Sequence, residues 1–246
     1  LLELKNPHSV LAAIEVRPRD VTEIRIAGPN AHGAWEDVVE AASRAGIPCR
    51  TVKVQQNRGA KNRGGKSERV GIASALVRES FGAAEFEHLF PQADESGGEP
   101  SGLWLALDQL QDPHNVGAIF RTAGFFGVKG VFVTKDRSAP LNGTVFDVAA
   151  GGLEHTPFCV VPNLSRVLDS ARKNGLWTLG TSEHADLSCD EITTDRPWLL
   201  VLGNEEKGLR RLTLEKCDQV CAIKPRGGVT SLNVSVAAAV LISRLS

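Results

Sequence analysis

The chain lacks methionine and tyrosine altogether, and aromatic residues make up only 5% of its 246 positions. It also lacks a dominant charge: 28 Lys and Arg stand against 29 Asp and Glu, a formal net charge of -1. No global basic field therefore announces a nucleic acid, and any such partner must be held by a local patch. Long hydrophobic runs are missing too. The longest, Val234 to Ile242, is interrupted by Ser235 and falls far short of the roughly 20 residues a bilayer span needs. Cysteine is sparse and odd in number, at Cys49, Cys159, Cys189, Cys217 and Cys221, which excludes the even framework of a secreted disulfide scaffold and fits a reducing cytoplasm. Cys217 and Cys221 form a C-x3-C pair, but no second Cys or His pair stands nearby to complete a zinc tetrahedron, so no metal site is expected. The chain opens on Leu1 with no signal-peptide pattern, and the missing initiator suggests a trimmed N-terminus.

A chain of this length is natural for two domains, since single cores divide at roughly 100 to 200 residues. Residues 1–80 read as a small alternating α/β unit: helix at Ser9 to Ile14, strand at Val21 to Ala27, helix at Trp35 to Ala45, then strands at Pro48 to Val54 and Val70 to Val77. Between the last two lies a glycine-rich segment in which Arg58, Lys61, Arg63 and Lys66 occur with no acid among them, expected as a projecting basic loop. Residues 81–101 have linker composition, ending in Ala93-Asp-Glu-Ser-Gly-Gly-Glu-Pro100. From 102 to 246 short apolar strands alternate with helices, at Leu103 to Leu107, Val128 to Val133, Phe158 to Val161, Leu176 to Gly180, Trp198 to Leu202 and Val220 to Ile223. That pattern predicts an α/β domain with a mostly parallel sheet covered by helices on both faces. In such sheets ligands bind beyond the carboxyl ends of the strands.

Three of the loops at those ends are unusual. After Leu107 the chain reads Asp108 to Ala123, with Asp112-Pro113 as helix cap and first helical residue. Asn115 then lies in the first turn and Arg121 about 120° away around the helix. After Leu202 comes Gly203-Asn-Glu-Glu-Lys-Gly208, whose glycines allow close backbone approach but whose Glu205 and Glu206 are too acidic for a phosphate cradle. The order Lys207-Gly208-Leu209 is also wrong for a Walker A loop, and Gly28-Pro-Asn-Ala-His-Gly33 does not supply the dinucleotide fingerprint. After Ile223 comes Lys224-Pro-Arg-Gly-Gly-Val-Thr-Ser-Leu-Asn-Val-Ser235, leading into an apolar helix. Ser231 is expected to cap it, with Leu232, Val236 and Val240 as its buried stripe; Asn233 and Ser235 are polar groups there that need partners.

Asn115-x-Gly-x-x-x-Arg121, Gly203-Asn-Glu-x-x-Gly208 and Ser231-Leu-Asn-Val-Ser235, in this order, resemble the three motifs of the SpoU (TrmH-type) RNA 2'-O-ribose methyltransferases of the SPOUT superfamily. The resemblance covers about Leu103 to the end, and the first unit more weakly resembles the ribosomal-protein-like RNA-binding domain of several members. Asp108 to Asn115, Lys135 to Ser138 and Arg210 to Thr213 are similar to the bacterial members that methylate a guanosine ribose of 23S ribosomal RNA. The resemblance implies a deep C-terminal trefoil knot, a dimer through the knotted domain, and S-adenosylmethionine held largely by backbone around Thr181, Leu202, Gly203, Asn204, Gly208, Ile223 and Leu232. Members commonly have Ile-Pro after the last strand, where here Lys224 intervenes.

The same resemblance makes Arg121 the catalytic arginine, with Asn115, Glu205, Ser231 and Asn233 positioning it, the ribose and the loops. Because an arginine keeps its proton near neutral pH, gripping a phosphate and stabilising the 2'-alkoxide suit it better than acting as a base. Arg58, Lys61, Arg63 and Lys66 are then expected to contact RNA phosphates. Two alternatives stay open at this stage: a non-catalytic RNA-binding protein with a methyltransferase-like fold, and a tRNA 2'-O-methyltransferase.

Overall fold

A computed structural model describes residues 1–27, 31–52, 73–79, 85–91 and 101–246. Arg58, Lys61, Arg63 and Lys66 lie outside the described residues. The chain divides into two compact units, Leu1–Ser80 and Phe81–Ser246.

In the first unit the strands are β1 (Leu2–Leu4), β2 (Val21–Ala27), β3 (Cys49–Val52) and β4 (Ser74–Val77), with helices α1 (Pro7–Val16) and α2 (Ala34–Arg44). They form a four-stranded sheet in the order β1-β4-β2-β3. β4 runs antiparallel to β1 and β2, while β2 and β3 are parallel and joined through α2. Asn6 starts α1 by accepting the His8 amide on its side chain at 2.9 Å, ahead of Pro7 as first helical residue. The first strand, β1, is too short for its pattern to show in the sequence.

The second unit holds β5 (Leu103–Leu107), β6 (Gly130–Thr134), β7 (Phe158–Val161), β8 (Trp177–Thr181), β9 (Trp198–Leu202) and β10 (Gln219–Cys221). Its helices are α3 (Pro113–Phe126), α4 (Gly143–Ala149), α5 (Gly152–His155), α6 (Leu164–Lys173), α7 (Arg211–Lys216) and α8 (Val234–Leu245). The six strands are all parallel, in the order β10-β8-β9-β5-β6-β7. Every residue of β5, β6 and β9 is buried, as strands covered on both faces require. On one face Trp104, Ala106, Phe132, Leu199 and Val201 pack against Val167, Leu168 and Ala171 of α6. Burying each of the large side chains contributes about 1.5–3 kcal/mol.

Two expectations need correction. Part of the 81–101 segment is core: a short 3-10 turn, Phe86–Leu89, buries Leu89 and Phe90 against this unit. The Trp104 indole donates to the Leu89 carbonyl at 2.7 Å, and Phe90 stacks on Phe132 at 4.9 Å. The acidic, glycine-rich stretch beyond it masked those apolar anchors in the sequence; residues 81–84 and 92–100 lie outside the described residues. In α8 the cap is Asn233 and not Ser231, and the buried residues are Ala238, Leu241, Ile242 and Leu245. Leu232, Val236 and Val240 are 51%, 49% and 42% exposed. A helix apolar nearly all round does not reveal from its pattern which stripe faces the core.

Because the sheet is wholly parallel, the loops after β5, β6, β8, β9 and β10 leave from one edge. α3 springs from that edge and packs against α4, α5 and α8. Gly117 makes the α3–α4 contact possible: a Cβ there would sit 2.7 Å from Val148 Cβ and 2.8 Å from the Val145 carbonyl oxygen.

Candidate active site

At the carboxyl edge three segments remote in sequence are tied together by side-chain amides and one carboxylate. Asp112 caps α3, its side chain accepting the His114 amide at 2.8 Å, and this fixes the buried Asn115 in the first turn. The Asn115 Nδ2 donates to Glu205 Oε1 at 3.2 Å, and Asn115 Oδ1 accepts from Asn233 Nδ2 at 3.0 Å. Asn233 Oδ1 in turn accepts the Ser235 amide at 2.8 Å and the Ser235 hydroxyl at 2.6 Å, which starts α8. Glu205, Asn115, Asn233 and Ser235 thus form one relay running from the loop after β9 through α3 to α8.

The Glu205 carboxylate also accepts the backbone amides of Gln111 and Asp112, both at 3.3 Å, and Asn204 Nδ2 at 3.3 Å. These bonds are long, so each is weak, but together they bind an acceptor-only group to the loop that precedes α3. This answers why an acidic residue occupies a glycine loop: Glu205 binds protein amides.

The loop 203–208 closes on itself. Asn204 Oδ1 accepts the amides of Glu206 and Lys207, both at 3.1 Å, and the Gly208 amide donates to the Asn204 carbonyl at 2.9 Å. Gly203 permits the closure, since a Cβ there would lie 2.4 Å from both Gly208 C and Leu209 N. Gly208 itself sits at φ +62°, a left-handed backbone that favours glycine. Asn204 Nδ2 donates to the carbonyl of Gln109 at 2.9 Å, anchoring the ring to the loop after β5.

Gln109 has φ +60°, a strained conformation for a residue with a side chain. Its amide donates to Thr134 Oγ1 at 2.9 Å, so the flanking partners hold the turn in place. Just before it, Asp108 is buried, and its amide donates to the Leu202 carbonyl at 2.8 Å. The Arg210 guanidinium reaches Asp108 Oδ1 at 3.3 Å. Burial pushes the Asp108 carboxyl above the usual carboxylate range, with Arg210 opposing that shift.

Of the residues read from the sequence, the structure brings Asn115, Asn204, Glu205 and Asn233 into one network. Arg121 and Ser231 are not in it; both are exposed, and their side chains make no hydrogen bond or ion pair among the described residues. Leu202 is buried at the end of β9, and the Thr181 hydroxyl donates to the Val201 carbonyl at 3.1 Å. Ile223 is half-buried, and Lys224, the residue inserted before Pro225, donates its Nζ to the Ala185 carbonyl at 2.6 Å in the loop after β8. Asp108, Gln109 and Arg210 have functional geometry that the sequence motifs do not mark. A lone Asp ending a fully apolar strand was the signal available.

The donor set fits S-adenosylmethionine better than a polyphosphate. Glu206 adds a second acid to the loop 203–208, which disfavours a polyphosphate, and the half-exposed Leu232 side chain beside the Asn233 cap offers the kind of apolar surface an S-adenosylmethionine site needs.

Residues 102–243 match the family model described as SpoU rRNA Methylase family. The 23S rRNA (guanosine-2'-O-)-methyltransferase RlmB of Pseudomonas aeruginosa is 37% identical over 96% of this chain and 92% of its own length. The putative TrmH family tRNA/rRNA methyltransferase YacO of Bacillus subtilis is 34% identical over 91% of this chain and 87% of its own. Among solved structures, the SpoU methyltransferase AviRb from Streptomyces viridochromogenes in complex with AdoMet has the same fold, with a TM-score of 0.74 at 20% identity over 99% of this chain and 88% of that one. The chain belongs to the SpoU rRNA methylase family.

Proposed function

We propose that the protein transfers a methyl group from S-adenosylmethionine to a ribose 2'-hydroxyl of RNA, at a guanosine of 23S ribosomal RNA. The observation that carries this is the Glu205–Asn115–Asn233 relay, which joins the three family motifs at one sheet edge. The 23S rRNA specificity rests on the similarity to RlmB over nearly the whole chain.

The cofactor, when bound, supplies a methyl already activated on a sulfonium. The protein's remaining tasks are alignment and polarisation of the 2'-hydroxyl. Arg121, exposed and free of partners among the described residues, is the group left to engage a ribose phosphate and stabilise the developing alkoxide. The relay holds α3, and hence the element bearing Arg121, in fixed register with the loop after β9 and the start of α8; with the ends of β8 and β10 these would carry the donor, at Thr181, Leu202, Gly203, Asn204, Gly208, Ile223 and Leu232. Ser231, on the exposed approach to α8, is free to bind the ribose side. Methyl transfer needs no metal in this scheme.

The C-terminal domain is read as a deep trefoil knot. Its support is the chain path: after edge strand β10 the chain returns past β8 and β9 to lay α8 on α3, which follows the central strand β5. The active form is read as a homodimer through this domain, because Val236 and Val240, four residues apart on α8, leave an exposed apolar stripe on its outer side. Residues 1–80 serve as the RNA-binding unit, with Arg58, Lys61, Arg63 and Lys66 on phosphates. Five free thiols accord with a cytoplasmic enzyme. Methylation of 23S rRNA transcript by purified protein, Arg121→Ala beside the parent chain, tests the proposal. Loss of transfer with cofactor affinity unchanged is expected, and near-normal transfer would reduce Arg121 to a surface cation.

A further inference from the structure

Asp108 and Arg210 are an ion pair that the relay does not use. Asp108 directly follows β5 with its side chain 2% exposed, while the Arg210 side chain facing it is 59% exposed. Burying a carboxylate is costly, and among the described residues its side chain has one partner, the Arg210 Nη2 at 3.3 Å. The cost yields an oriented cation. Arg210 is the N-cap residue of α7 but offers no side-chain cap, so its guanidinium is not engaged in holding the helix. One of its five N–H donors meets Asp108, and the exposed remainder points into solvent two residues beyond Gly208, beside the closed loop. Its neighbour Arg211 is differently occupied, donating to Glu215 at 2.7 Å along α7.

Resting on the RNA methyltransferase reading, we propose that Arg210 grips a backbone phosphate of the RNA at the mouth of the site and that Asp108 is its positioning residue. A guanidinium fixed at one corner by a buried anion presents its free edge in a constant direction, the geometry in which arginine binds phosphate by two parallel hydrogen bonds. Asp108 also links the ends of β5 and β9 through its amide and the Leu202 carbonyl, which places the gripped phosphate in register with the loop at Gly203.

Arg210→Gln alone leaves the Asp108 carboxylate buried without its cation and is expected to lower the melting temperature. The decisive variant is therefore Asp108→Asn with Arg210→Gln, which removes both charges and keeps polar partners. RNA binding is measured on 23S rRNA transcript across a salt series, with S-adenosylmethionine calorimetry on the same preparation. The double variant is expected to bind RNA about tenfold more weakly and to lose about one unit from the log-log salt slope. Its cofactor affinity is expected to stay within about twofold of the parent, a change inside the scatter of a contact that is not made. In turnover the loss is expected in KM for RNA more than in kcat. Parental RNA affinity and salt slope would overturn the inference, as would a loss confined to cofactor binding, which is what a mere loop anchor gives. Binding is read independently of turnover, so failure of the parent chain to methylate would count against the proposed function and leave this result standing.

Discussion

Asn115→Ala separates the cost of holding the site together from the cost of misaligning it. The substitution deletes the bond to Glu205 at 3.2 Å and that from Asn233 at 3.0 Å. Each is worth about 0.5–1.5 kcal/mol net, and Glu205 and Asn233 are exposed enough for water to replace the lost partner. Alanine returns about 0.5 kcal/mol through its better helix propensity. The net destabilisation should be about 1–2 kcal/mol. The effect on chemistry should be larger, because the two bonds set the register of α3 against the other two motif segments. A displacement of about 1 Å at a reacting centre costs about 100-fold in rate. Urea denaturation followed by tryptophan fluorescence gives the first quantity, and single-turnover methylation at saturating cofactor the second. Activity within about threefold of the parent would refute the relay's role, and so would a destabilisation large enough to unfold the protein in the assay.

Other perturbations probe separate parts of the account. Gly117→Ala drives a Cβ against Val148 and the Val145 carbonyl, and should lower stability by about 1–3 kcal/mol in the same denaturation experiment. Gly203→Ala must open the closed loop, and calorimetry should show cofactor binding lost. Gln109→Gly relieves a left-handed backbone and should not lower stability, whereas Gln109→Val should lower it by about 1 kcal/mol or more. Burial pushes the Cys217 and Cys221 thiols up to about 12, so at pH 8 both stay protonated and unreactive. Mass spectrometry after iodoacetamide treatment should find the exposed Cys49 labelled first, and those two only after unfolding.

The sequence carried the parallel sheet of the second unit well, because β5 and β9 are unbroken apolar runs whose ends are marked by Asp108 and Gly203. It carried Asn233 as a residue of interest through a polar side chain at the start of an otherwise apolar helix, and Asn115 and Glu205 through their likeness to family motifs. Their mutual contacts were not legible, since Asn115 and Asn233 are brought together only by the packing of α8 on α3. The orientation of α8 was misread for a related reason: Leu232, Val236 and Val240 are as apolar as the residues that face the core, and only packing distinguishes the two stripes. Leu89 and Phe90 were hidden by acidic, glycine-rich neighbours. Asp108 and Arg210, about a hundred positions apart, had no local signature; their pairing follows from the adjacency of β5 and β9.

The most direct test of the central claim is transfer of isotopically labelled methyl from S-adenosylmethionine to 23S rRNA taken from cells lacking the gene, followed by mapping of the product. The expected result is label on the ribose of one guanosine, at a linkage that resists alkaline cleavage because its 2'-oxygen is blocked, formed equally well in EDTA. Label on a base, or no transfer to any RNA by protein shown to bind the cofactor, would contradict the account.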